Sequence, residues 1–247
     1  MSGYDEWFFS RRAPPPRKGV PLKTMPKRDG GRCSEAGAPR LLVTALAIGV
    51  AGFGPGLAAA HSLKEFEAAL NEREAYAQIV HYPAAPFALK DADDRPVKLS
   101  DYRGKVVLLY FIYAGCKDVC PLQSQKLAGV QRDVNATPMR NRVQFVAVTT
   151  DPVGDTPSVM TAYPRLHGLD TANWVFLTSG KEKPAATREL AEQYGLKFTL
   201  TSDGVQMHGV VTHLIDKSGN LRVRYHGLKF NSVNLVAHIN ALLNDIH

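Results

Sequence analysis

The strongest chemical signal in the sequence is the segment Cys116-Lys117-Asp118-Val119-Cys120-Pro121. Residues i and i+4 share one face of a helix, so the two sulfurs can converge on one metal ion or approach bonding distance. A helix N-terminus favours the thiolate, which is the form that binds metals and attacks disulfides. The segment therefore predicts a soft-metal site or a redox-active dithiol. The alternative is an inert disulfide, whose short loop would constrain the unfolded chain little.

A third ligand would turn two thiolates into a metal site suited to Cu(I). Six of the eight histidines lie at predicted edges or helix surfaces and are interpreted as solvated: His61, His81, His167, His226, His238 and His247. His208 precedes a predicted strand and His213 lies within it, and strand alternation lets at most one of them face the cysteines. Position alone leaves this choice open, with Met207 as a further soft ligand. The sequence offers no obvious four-ligand cluster for structural zinc.

The elements that must position these residues alternate between strands and helices, which indicates an α/β fold with a largely parallel sheet. The continuous apolar run at 106–113 predicts a buried strand that leads into the cysteines, and Pro121 suits the first turn of the next helix. The other predicted elements are strands at 143–149, 174–177, 210–215 and 221–225 and helices at 62–79, 122–134, 155–166, 184–194 and 233–243. A helical linker over 61–85 is expected to precede a folded domain over 86–247.

Charge divides the chain near residue 60. Residues 1–60 hold nine Lys/Arg and four Asp/Glu, whereas 61–247 hold 21 and 19, so the formal net charge of +7 falls mainly on the leader. A nearly neutral domain without a basic, aromatic stripe argues against a nucleic-acid partner.

The leader itself has the parts of a targeting signal. The apolar run at 41–60 ends in an A-x-A site before His61 and predicts a signal peptide, with a membrane anchor as the alternative. We therefore expect export to the periplasm, with Met25 as an alternative start. Cleavage would remove Cys33 and leave the exported domain with two cysteines.

Several segments together resemble the Sco/SenC family of copper chaperones for cytochrome c oxidase assembly. The matching residues are Gly104-Lys105-Val106-Val107-Leu108, the cysteine segment 116–121, Asp151-Pro152, Asp155-Thr156-Pro157, Tyr194-Gly195, and His208 six residues before Leu214-Ile215-Asp216. The resemblance implies a thioredoxin-like fold, a mixed central sheet flanked by helices, and copper held by Cys116, Cys120 and His208. Lys117 stands where the family usually has proline, and His213 where it usually has an aromatic residue.

The same resemblance implies a metallochaperone rather than an enzyme, which delivers Cu(I) or Cu(II) to the binuclear copper centre of a respiratory oxidase. The implied partners are the copper-receiving oxidase subunit and a copper donor chaperone or a thiol reductase, and the chain is expected to be a monomer. The alternative is a periplasmic thiol-disulfide reductase in which Cys116 is the nucleophile and Cys120 the resolving thiol. Three intervening residues, where redox motifs have two, weigh against this alternative.

Overall fold

The computed structural model describes residues 62–200 and 206–245, and at 199–200 and 206–208 it describes the backbone alone. The predicted leader, with Met25, Cys33, the apolar run 41–60 and His61, lies outside the described residues, as does His247. In residues 62–200 and 206–245, no helix has both the length and the apolar character that crossing a bilayer requires.

The described residues form five α-helices and ten strands. The helices are α1 (Leu63–Arg73), α2 (Val119–Asn135), α3 (Pro157–His167), α4 (Ala186–Gln193) and α5 (Ser232–Asn244). The strands are β1 (Ala77–Pro83), β2 (Ala88–Lys90), β3 (Pro96–Lys98), β4 (Val106–Ile112), β5 (Val143–Thr149), β6 (Trp174–Leu177), β7 (Phe198–Leu200), β8 (Gln206–His208), β9 (Val211–Ile215) and β10 (Asn220–His226).

Six strands build the central sheet in the order β1-β10-β9-β4-β5-β6. Strands β4, β5 and β6 run parallel, whereas β9 joins β4 antiparallel and is followed by antiparallel β10 and β1. This arrangement confirms the mixed sheet flanked by helices. The alternation of strands and helices predicted a largely parallel sheet, but only three of its six strands are parallel. The others are antiparallel because β9 and β10 form a hairpin that pairs with the edge of β4.

Strand β4 fixes the position of the cysteines. All seven of its residues are buried, as its continuous apolar run predicted. Its even-numbered residues pack with α1, α2, α3 and α5, and its odd-numbered residues pack with α4 and residues 84–99. Because both faces of the sheet are covered, the turn that follows Ile112 leaves from a rigid element.

The segment before residue 86 is part of the packed structure. The helix predicted at 62–79 ends at Arg73, and the β-branched and aromatic residues that follow form β1, which pairs with β10. On α1, Leu63, Glu67 and Leu70 are buried. The stretch predicted as a linker therefore supplies a helix to the core and an edge strand to the sheet.

Candidate metal centre

The two cysteines lie on either side of the start of α2. Helix α2 begins at Val119, two residues before Pro121, so Cys120 is in its first turn and Cys116 is in the turn that precedes it. The prediction that both thiols share one helix face is therefore wrong. The turn instead folds back, and the backbone N–H of Cys120 donates to the Cys116 sulfur at 3.4 Å. Both thiols are free.

The surroundings of the two thiols shift their pKa values in opposite directions. Burial raises the pKa of Cys116, but hydrogen bonds from the Cys120 thiol and from the backbone at 118–120 outweigh it, and the net pKa is below the ordinary value. Burial raises the pKa of Cys120, and its hydrogen bond to Cys116 raises it further. Cys116 is therefore the first of the pair to ionise. The lowered pKa that the helix N-terminus predicted holds for Cys116 but not for Cys120.

Asp155 anchors the turn that carries Cys116. Its buried carboxylate accepts the backbone N–H of Ala114, at 3.0 and 3.1 Å to its two oxygens, and the hydroxyl of Thr149. The sequence assigned residues 155–157 to a helix cap, and Thr156 does occupy that position. However, the Thr156 side chain makes no capping hydrogen bond. Sequence reasoning thus missed Asp155 as a residue that supports the site.

A layer of buried polar and aromatic side chains lies behind Cys120. One turn along α2, the Ser124 hydroxyl lies 2.8 Å from the hydroxyl of Tyr163 on α3. The indole N–H of Trp174 donates to the Tyr110 hydroxyl at 2.9 Å. All four side chains are buried. This packing against β4 and α3 restricts the movement of the helix end that carries Cys120.

His208 ends β8, which pairs with β7 so that His208 lies opposite Phe198. The structure describes its backbone but not its side chain. From His208 the chain passes through Gly209 and Val210 into β9, the neighbour of β4 in the central sheet. Among the described side chains, no group of three His, Cys, Asp or Glu residues could hold a metal ion. The structure brings Cys116 and Cys120 together, and the contributions of His208 and Met207 stay predictions.

His213 lies on the opposite face of the sheet from the cysteines. Its ring is fully buried, packs edge-on against Phe111 and Tyr194, and lies 3.3 Å from the Leu109 carbonyl and 3.1 Å from the Tyr194 carbonyl. Phe111 and Tyr194 belong to one core cluster, whereas both cysteines belong to the other. His213 is therefore a buried core residue of its strand, as its position in an apolar run predicted.

Lowering the pH is expected to destabilise the fold through His213. Burial, helped by the charges of Arg224 and His226, lowers its pKa from 6.5 to about 4, although the two carbonyl contacts act in the opposite direction. Between pH 6.5 and about pH 4, this histidine binds a proton in the unfolded chain but not in the folded chain. The free energy of unfolding therefore falls as the pH falls, by up to about 3 kcal/mol. Urea unfolding at neutral pH and at about pH 4 measures this loss.

A His213→Phe variant keeps an aromatic ring in the pocket and removes the titrating group. Its stability should fall less steeply than that of the unaltered chain over the same pH interval, because the remaining groups titrate alike in both. If the free energy of unfolding depends on pH equally steeply in the two proteins, His213 is not the source of the loss.

The other histidines divide between surface and core. His81 and His226 are exposed as predicted, and His167 is partly exposed. His238 was predicted on a helix surface but is fully buried, with Nε2 3.5 Å from the Glu67 carboxylate. The prediction failed because α1, which was read as an exposed or linking helix, packs on α5 and covers this face.

Comparison with known proteins identifies the family. Residues 78–244 match the family model described as SCO1/SenC. The chain belongs to this family. The mitochondrial SCO2 homolog of Mus musculus is 32% identical over 220 residues, which cover 84% of this chain and 80% of that protein. The Bos taurus SCO2 homolog is 38% identical over 150 residues, so this chain spans about half the length of that relative, 55%.

Solved structures of SCO1/SenC relatives share the fold. Apo Sco1 from Thermus thermophilus is 29% identical, with a TM-score of 0.55 and coverage of 68% of this chain and 96% of that one. Copper-bound ScoI from Bradyrhizobium japonicum is 26% identical, with a TM-score of 0.54 and coverage of 65% and 99%. A SCO1/SenC family lipoprotein from Bacillus anthracis is 23% identical, with a TM-score of 0.60 and coverage of 67% of this chain and 97% of that one. At this identity the likeness shows the fold alone.

Proposed function

We propose that this protein carries one copper ion as cargo and delivers it during assembly of a respiratory cytochrome c oxidase. The observation that carries the proposal is the pair of free thiols at the start of α2, folded so that the Cys120 N–H reaches the Cys116 sulfur at 3.4 Å. Two soft sulfur donors, one of which has a pKa below its ordinary value, fit Cu(I). The copper-bound Bradyrhizobium japonicum relative supports the same cargo.

His208 is proposed as the third copper ligand. The chain leaves His208 through two residues into β9, and β9 lies beside β4, whose end carries the cysteine turn. Of the two histidines that the sequence left open, His213 is committed to the opposite face of the sheet. A nitrogen ligand added to two thiolates gives a set suited to holding Cu(I) and accommodating Cu(II).

The finer parts of the proposal follow from the family resemblance. The proposed recipient is the oxidase subunit that bears the binuclear copper centre, with a copper donor chaperone or a thiol reductase acting before transfer. The proposed location is the periplasm, reached through the signal peptide or held by the anchor at 41–60. Reduced thiols are needed at each transfer, because a disulfide does not bind copper as a thiolate does.

Titration of the reduced full-length chain with Cu(I) tests the proposal. One tightly bound Cu(I) per chain is expected, and His208→Ala should weaken the binding by more than the roughly 10–100-fold that loss of an outer-shell contact costs. His226→Ala, which removes an exposed histidine, is the matched control and should bind like the unaltered chain. Absence of stoichiometric binding, or equal affinity in the His208 variant, would overturn the copper assignment.

A second candidate function is thiol-disulfide reduction, favoured by the unequal exposure of the thiols: Cys116 is 9% exposed and Cys120 is 1% exposed. The Cys116 thiolate would attack a client disulfide, and Cys120 would then displace the client's second thiolate, leaving a reduced client and a Cys116–Cys120 disulfide for a thiol reductase to reset. Full activity in vivo of His208→Ala, together with loss of activity in Cys116→Ser, would favour this function over copper delivery.

A further inference from the structure

A buried glutamine connects the cysteine helix to the strand that follows His208. Gln123 lies one turn after Cys120 on α2 and is 2% exposed. Its Nε2 donates to the Val211 carbonyl at 3.3 Å and to the Thr212 hydroxyl at 3.2 Å. These acceptors belong to the first two residues of β9, and His208 lies three residues before Val211. One side chain thus connects the helix that carries Cys120 to the start of the strand that follows His208.

The strand pairing holds the start of β9 toward β10 but not toward β4, so the contact with α2 has to come from a side chain. The register of β4 against β9 ends at the pair Tyr110 and Thr212. On the other side of β9, Val211 pairs with His226 of β10, and the Val210 carbonyl accepts the Gly227 N–H at 2.7 Å. The β7–β8 hairpin that carries His208 is a separate two-stranded sheet. The Gln123 amide reaches the Val211 carbonyl at the point where the chain passes from this hairpin into the central sheet.

We propose that Gln123 is a positioning residue that holds the His208 segment within reach of the two thiols. This inference rests on the proposed copper site. Fixing a ligand segment before the metal arrives reduces the ordering cost of binding, and contacts of this kind typically change metal affinity by 10–100-fold. Gln123 is not one of the proposed ligands, so its loss should act through the nitrogen ligand and leave the sulfur ligands in place.

The same helix supplies a matched control in Gln131, which is 1% exposed. Its Nε2 donates to the Asp170 carbonyl at 2.8 Å and to Asn173 Oδ1 at 2.7 Å, and its Oε1 accepts the Asp170 N–H at 2.9 Å. These partners lie in the segment between α3 and β6. Eight residues along the helix place Gln131 about 12 Å from Gln123. Its loss removes comparable hydrogen bonds without a change at β9.

The experiment compares full-length Gln123→Met and Gln131→Met with the unaltered chain. Methionine keeps the length of the side chain and removes the amide. We expect both variants to melt at lower temperature, because each loses buried hydrogen bonds. Gln123→Met alone should bind Cu(I) about tenfold more weakly in a competition titration, and its Cu(II) form should show a weakened nitrogen hyperfine signal in electron paramagnetic resonance.

Equal copper affinity and equal nitrogen signals in Gln123→Met and the unaltered chain would overturn the inference while leaving the copper proposal intact. Absence of stoichiometric copper binding by the unaltered chain would overturn both. Should Gln123→Met fail to fold, Thr212→Val decides the question, because it removes one acceptor of Gln123 and keeps the β-branched shape. A smaller loss of affinity in the same direction supports the inference, and unchanged affinity overturns it.

Discussion

Cys120→Ser is expected to abolish tight Cu(I) binding with little change in the fold. Serine has nearly the same shape as cysteine, but its oxygen is a hard donor that stays protonated and binds Cu(I) poorly. The effect should exceed the roughly 10–100-fold that loss of an outer-shell contact costs. Competition titration of the reduced protein gives the affinity, and circular dichroism checks that the buried position of Cys120 tolerates the change.

Cys33→Ser is the matched control for this experiment. Cys33 is the one cysteine of the chain outside the proposed site. It lies in the predicted leader, so its loss should leave the affinity for Cu(I) unchanged. If Cys120→Ser binds copper as tightly as Cys33→Ser does, the metal is not held by the thiols at the start of α2. The assignment of the site would then be wrong.

Arg222→Met is expected to lower the free energy of unfolding by about 3–5 kcal/mol, the usual cost of removing one partner from a buried ion pair. The Arg222 guanidinium lies 3.1 Å from the Glu67 carboxylate of α1 and 3.3 Å from the Asp216 carboxylate, and all three side chains are 3–8% exposed. Methionine has a similar length but no charge, so both carboxylates would stay buried without their cation. Chemical denaturation measures the loss.

The surface supplies the control, since Arg95 also contacts two carboxylates. It lies 2.8 Å from Asp91 and 2.7 Å from Asp93, but its side chain is 70% exposed. Arg95→Met should cost less than about 1 kcal/mol, because water screens exposed ion pairs. A similar cost for the two variants would contradict the view that Arg222 fixes α1 to the domain through a buried contact.

Much of the architecture could be predicted from the sequence. The unbroken apolar run of β4 requires a strand covered on both faces, and β5 has the same character. Residues 77–83 were misread because spacing alone cannot distinguish a short helix extension from a strand, and β1 is specified by its pairing with distant β10. The short hairpin of β7 and β8 was missed for a similar reason, since three-residue strands carry almost no periodic signal.

The site was predicted in its residue types but not in its geometry. Cys116 and Cys120 do lie close together, but the turn before α2 places them there, and they do not share a helix face. The hydrogen bonds of Asp155 and Gln123 join them to partners 41 and 88 residues away in the chain, and no local pattern predicts such contacts. His238 shows the same limit, because residues of other elements, Phe66 of α1 and Tyr225 of β10, pack against its buried ring.

The most direct test of the copper site is X-ray absorption spectroscopy of the full-length chain loaded with one equivalent of Cu(I). The scattering around copper should fit two sulfur atoms from Cys116 and Cys120 and one nitrogen from His208. A first shell of sulfur alone, or of nitrogen and oxygen without sulfur, would contradict the proposed ligand set.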